Sequence, residues 1–195
     1  MFPPFDQCPP EDIATLVETY PLAWIVTREF NATLLPLLAE PAEDGMIASL
    51  LGHCGRRNLI VPDLQANSNA LILFQGPAGY ISPQLVSEPN WGPTWNYAAV
   101  RFTVEIEFVE EETPEAVDRL LDHMEGSGGD RWNPALLKDR YDGMIAQIIA
   151  FRAHVRDVSP TFKLGQDEPR PIFREIVAGL DDRRLAEWME ARARE

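Results

Sequence analysis

Leu73–Val100, LFQGPAGYISPQLVSEPNWGPTWNYAAV, is the stretch on which the reading of this chain turns. An apolar run enters it (Ala70 to Phe74), Gly76-Pro77 and Gly79 predict a turn, Tyr80-Ile81-Ser82 restarts an extended segment, and Pro93 to Tyr97 resumes another. Two strand ends and one loop are thereby held close. The stretch crowds Gln75, Tyr80, Ser82, Thr94, Trp95, Asn96 and Tyr97 where plain packing would use Val or Leu. Flat and hydrogen-bonding side chains suit a planar ligand with polar edges, because aromatic faces stack while amides and hydroxyls satisfy ring heteroatoms. The competing reading is a Pro- and Gly-braced turn whose aromatics fill the core.

Upstream, Pro9-Pro10-Glu11-Asp12 opens a helix with Ile13, Leu16, Val17 and Tyr20 on one face. Leu22 to Thr27, Ala32 to Ala39, Met46 to Leu51 and Asn69 to Phe74 read as strands of an antiparallel meander, with room for a short helix between Gly55 and Ala66. Downstream, Val100, Phe102, Val104, Ile106 and Phe108 alternate with polar residues, the period of a half-buried strand. Thr113-Pro114 starts a helix as N-cap and first-turn proline, and Ser127 to Asp130 is a flexible turn. A last strand lies within Met144 to Val158. Two helices follow, one ending near Gly179 and the next capped by Asp181-Asp182.

The chain has 195 residues, 45% hydrophobic and 25% charged, the balance of one well-buried globular domain. Lys+Arg 17 against Asp+Glu 31 leaves a net charge of −14, which repels phosphate backbones and argues against direct nucleic-acid binding. The short basic runs Arg56-Arg57, Arg152 to Arg156 and Arg183-Arg184 are the places where that argument could fail. No apolar run approaches the ~20 residues of a bilayer span. With no secretory signal pattern and only Cys8 and Cys54, a cytoplasmic location is expected. His53, His123 and His154 are too scattered for a metal site, and no catalytic acid, base or nucleophile stands out.

FQGPAGYISP followed by PTWNYAAV resembles the PaiB family of FMN-binding negative transcriptional regulators, built on the split β-barrel of pyridoxamine-phosphate-oxidase-like flavoproteins. The opening Met1-Phe2-Pro3-Pro4-Phe5, Leu35-Pro36-Leu37-Leu38, a Gly52-His53 turn with Asn58 after it, and Phe162-Lys163-Leu164-Gly165-Gln166 recur in the family's order, over about residues 1 to 180. The resemblance implies an α+β, mainly β fold: a split antiparallel barrel with peripheral helices, one domain over 1–195 with a helical extension from about 168. It implies FMN at the interface of a homodimer, each site borrowing from both chains.

By the same carry-over, Gly52, His53, Arg56, Arg57 and Asn58 form one candidate phosphate-binding segment, and Lys163 with Gln166 a second. Thr33 and Leu34 would line the isoalloxazine. Gln75, Tyr80, Ser82, Thr94, Trp95 and Asn96 would approach it, some from the partner. The chain departs from the pattern at Leu34, where a histidine is usual, and at Leu59-Ile60-Val61-Pro62, where the family starts with Asn-Pro. Losing the imidazole donor costs about 1 kcal/mol. Two alternatives stand beside the regulator: a flavin- or haem-dependent oxidoreductase on the same barrel, and a cofactor-free dimeric interaction protein.

Overall fold

The structure is a computed structural model that describes residues 5–126 and 131–192, so the Met1–Pro4 part of the opening motif and the Ser127 to Asp130 turn lie outside the described residues. Helix α1 (Pro10–Thr19) leads into strands β1 (Leu22–Thr27), β2 (Ala32–Pro41) and β3 (Ile47–Gly55). Helix α2 (Ile60–Ala66) then carries the chain to β4 (Asn69–Ile81) and β5 (Thr94–Phe108). Helices α3 (Thr113–Glu125) and α4 (Arg140–Ile145), strand β6 (Ile148–Lys163), and helices α5 (Arg170–Gly179) and α6 (Arg183–Arg192) complete it.

The six strands close into an antiparallel barrel in the order β1-β2-β3-β6-β5-β4. The meander therefore stops at three strands. β4 crosses by way of α2 to pair with β1, Trp24 opposite Leu73 and Thr27 opposite Ala70, and that pairing closes the barrel. Closure leaves no free sheet edge. Phe74, Phe102, Phe151, Ile25, Ile72 and Leu50 fill the interior.

Three local expectations need correction. Gly76-Pro77 makes no turn: β4 runs unbroken to Ile81, and the pair forms a bulge where the register with β5 shifts between Gln75 and Ala78. Gly52-His53 is not a turn either, since β3 continues to Gly55. A Cβ on Gly52 would lie 2.4 Å from Leu37 Cδ2 and 2.9 Å from Phe151 Cζ, so this glycine makes room for the core. Thr113 is not a side-chain cap; it is the first residue of α3, its hydroxyl donates to the Glu110 carbonyl and accepts from Ala150 N–H.

The last helices pack on the barrel's end. Trp188 lies edge-on between Tyr20 and Phe162, each 5.9 Å away, and the Arg192 guanidinium stands 3.6 Å above its ring. Asp182 Oδ1 accepts from the N–H groups of Arg184 and Leu185, the cap that starts α6. Among the described residues no helix is long and apolar enough to cross a membrane.

Candidate functional site

Strand register decides which candidate residues can meet. β6 pairs its first residue, Ile148, with Gly55 and its last, Lys163, with Tyr97. At about 3.3 Å per residue these points are some 50 Å apart along the strand. The candidates therefore fall into two groups at opposite ends of the barrel.

One group gathers where β4 ends, β5 begins and β6 ends. Tyr80 pairs with Trp95, and their rings meet edge to face at 5.9 Å, both more than half exposed. The half-buried Lys163 ammonium donates to Thr94 Oγ1 and stands 6.0 Å from the Phe5 ring, with no carboxylate partner among the described residues. Neighbouring polar candidates are occupied locally. Gln166 accepts from Leu164 N–H and donates to the Phe162 carbonyl, bracing the turn after β6. Ser82 accepts from Gln84 N–H. Asn96 is only 1% exposed and its amide donates to Met189 Sδ at 3.6 Å, so α6 shields it from any ligand of this chain.

The other group surrounds the end of β3 and the β1–β2 hairpin. Asn58 Nδ2 donates to Thr33 Oγ1 at 3.0 Å while its Oδ1 accepts from Ile60 N–H, which ties the start of α2 to β2. Arg56 is spent on the fold: it donates to Glu110 Oε1 at 2.6 Å and to the Ala146 carbonyl at 3.1 Å. The exposed Arg57 side chain has no partner among the described residues. His53 is half-buried opposite Ala150, and burial lowers its pKa, keeping the imidazole neutral at pH 7. Beside it, burial pushes the Cys54 thiol up to about 11, so it is no thiolate nucleophile.

Between the two groups lies an uncovered sheet face. Leu34, Trp24 and Leu73 stand in one row across β2, β1 and β4, with Arg101 of β5 next in line. Leu22 (52% exposed), Trp24 (49%), Leu34 (41%), Leu71 and Leu73 (38% each) make this face apolar. Gln75 and Arg101 are exposed along it, neither side chain having a partner among the described residues.

Residues 1–157 match the family described as "Putative FMN-binding domain". The chain belongs to the PaiB-type FMN-binding-domain family. It is 28% identical over 195 residues to "Protease synthase and sporulation protein PAI 2" of Bacillus subtilis (strain 168), covering 92% of this chain and 91% of that protein. Solved structures share the fold. The flavocytochrome Anf3 of Azotobacter vinelandii superposes with a TM-score of 0.60 at 13% identity, over 81% of this chain and 67% of that one. The FAD and haem binding protein of Mycobacterium smegmatis gives 0.57 at 16% identity, over 87% and 78%.

FMN is the family's cofactor, and the donor chemistry here fits it. Two exposed rings, and a half-buried ammonium and an exposed guanidinium that have no carboxylate partner among the described residues, match a planar ring system and a dianionic phosphate. Trp24, Leu73 and Arg101 escape a reading by motif, although a signal exists. β1, LAWIVT, is apolar at both alternating sets of positions, which marks a strand covered on both sides.

Proposed function

We propose that this chain works as a homodimer that binds FMN at two composite sites, one at each end of a shared interface, and that it represses transcription indirectly, through a partner protein or a metabolite. The observation that carries the dimer is the apolar β2-β1-β4 face. Strands β2, β1, β4 and the adjoining β5, of 10, 6, 13 and 15 residues at about 3.3 Å per residue and about 4.8 Å apart, present roughly 700 Å² per chain, close to the ~800 Å² of a standard interface. A two-fold axis lying across the strands would set the Arg57 end of one chain against the Tyr80–Lys163 end of the other.

In this arrangement Arg57 holds the phosphate and Tyr80 and Trp95 face the isoalloxazine. Lys163 supplies positive charge at the ring's polar edge. Thr33, Leu34 and Asn58 form the wall on the Arg57 side, and Gln75 lies on the face between. Bound FMN would supply hydride or electron chemistry, while the chain supplies position and charge. The name carried by the Bacillus relative supports a regulatory role in the cell. Three arginines of the basic runs, Arg56, Arg152 and Arg156, are paired with Glu110, Glu112 and Glu105, which supports regulation without direct DNA contact. A cytoplasmic location belongs to the same reading.

The test is FMN titration of cofactor-stripped protein by fluorescence quenching, alongside its mass in solution. One FMN per chain in a dimer is the expected result. A folded monomer, or a dimer that leaves flavin fluorescence unquenched, refutes it. Salt-sensitive retention on duplex DNA would refute the indirect mechanism alone.

A further inference from the structure

Phe30 sits at the tip of the β1–β2 hairpin with its side chain 87% exposed, more than any other large apolar residue described. Its φ of 64° lies in the left-handed region, where glycine or asparagine is at ease and a bulky aromatic is strained. The hairpin needs that conformation at this position: Phe30 N–H donates to the Thr27 carbonyl, and Thr27 N–H to the Asn31 carbonyl. Local folding thus favours glycine here, and nothing within the described chain packs against the ring.

The tip is also held still. Asp63 Oδ2 of α2 accepts from Thr27 Oγ1 and from Asn31 Nδ2, both at 2.8 Å, clamping the hairpin on either side of Phe30. A rigid mount that presents a strained aromatic to solvent is accounted for by a contact outside the chain. Leu59, 72% exposed, stands at the start of the same helix, next to Asn58 and its bond to β2.

Position names the occupant. Thr27 lies opposite Ala70, and Tyr80 is ten residues further along β4, about 33 Å away at the other end of the apolar face. In a dimer whose two-fold axis lies across the strands of that face, a feature at one end of a chain meets the opposite end of its partner. We infer that Phe30 acts in trans: the hairpin of one chain lays this ring over the flavin site formed by the Tyr80–Trp95 end of the other. The inference rests on the composite dimer proposed above and adds to it a residue that shields the flavin from water.

The test is complementation between chains. Phe30→Gly removes the ring at a position where glycine is the favoured residue, so the fold is retained. FMN affinity is expected to fall about tenfold, the scale of one aromatic stacking contact, and Phe30→Tyr to restore it. Lys163→Met is the matching lesion at the other end. Chains carrying Phe30→Gly and Lys163→Met, co-expressed with different tags and purified through both, form a dimer in which one site carries both lesions and the other carries neither. Tight FMN binding at half the wild-type capacity is expected, at flavin concentrations where each variant alone binds little. No recovery in the mixed dimer would place Phe30 in cis and overturn the inference. Wild-type affinity in Phe30→Gly alone, in a dimer that still binds FMN, would also overturn it and leave the composite site standing. A wild-type chain that stays monomeric would instead overturn the dimer on which it rests.

Discussion

The barrel has two outer faces, and the chain treats them in opposite ways. Over β3 and β6 it lays α3 and the turn before it, and it fixes them with charge. Glu40 accepts from Ser49 Oγ (2.6 Å), Arg119 (2.7 Å) and Arg152 (2.7 Å), and Arg152 reaches on to Glu112 at 2.7 Å. Beneath that network Leu51, Val109, Ala116 and Ala150 form a second small core. On β1, β2 and β4 the outward side chains Trp24, Leu34, Leu71 and Leu73 stand exposed, while α1, α2 and α6 touch these strands elsewhere. One face is finished within the chain and carries the charges that hold its own helix. The other is apolar and open, as expected of a surface reserved for a second molecule.

The sharpest way to break the contrast is to put charge on the open face. In the proposed dimer, Trp24→Glu removes two buried indoles and apposes two carboxylates. Association is expected to weaken by about 4 kcal/mol, roughly a thousandfold. Sedimentation should show a folded monomer that no longer quenches FMN. If the variant dimerises as the wild type does, the apolar face is not the interface.

The covered face should respond in stability and not in mass. Arg152→Leu removes the cation that joins Glu40 to Glu112 and leaves Glu112 without its partner. The expected loss is about 2 kcal/mol in chemical unfolding, the scale of charge-assisted hydrogen bonds in a network open to water on one side, with the remaining folded protein keeping the wild-type mass and flavin binding. A change in oligomeric state without a change in stability would reverse the assignment of the two faces.

How much of this is legible in the residues depends on whether the signal is local. The Val100–Phe108 alternation and the Asp182 cap are short-range patterns, and each appears where the local sequence puts it. The barrel closure is not local: β4 pairs with β1 across α2, and nothing in either strand names its neighbour. Gly76-Pro77 reads as a turn because Gly-Pro marks bends, and a bulge uses the same residues for the same reason. The candidate site divides in the same way. Its motifs can be read from the sequence, but their separation to the two ends of β6 depends on register, and the loss of Asn96 depends on a helix that arrives 93 residues later.

The composite site predicts a smaller, separable effect. Lys163→Met keeps the stem that lies near Phe5 and removes the charge. FMN affinity is expected to fall about tenfold, or about 1.4 kcal/mol, with dimer mass and melting temperature unchanged. Arg56→Met at the opposite end should leave FMN affinity alone, because that guanidinium is held by Glu110 and Ala146. Equal losses in both variants would mean that Arg56 leaves its partners to reach the ligand.

Acid should separate the two faces with the smallest effect. Burial alone would raise the Glu40 pKa, but hydrogen bonds from Arg152, Ser49 and Arg119 outweigh it and hold the carboxyl at about 2, against an ordinary 4.5. A carboxyl whose folded pKa is depressed contributes its full stability above the unfolded value and loses it as pH falls towards the folded one. The covered face therefore weakens between pH 4.5 and about 2. With the network open to water on one side, the loss is about 1–2 kcal/mol. Unfolding free energy followed across that window should fall more steeply in wild type than in Glu40→Gln, whose side chain does not titrate. Trp24, Leu34, Leu71 and Leu73 carry no proton to lose, so their contact responds to acid only through the fold beneath it. If both proteins lose stability with the same slope, Glu40 is ordinary and the covered face is held by its apolar layer, not by its charges.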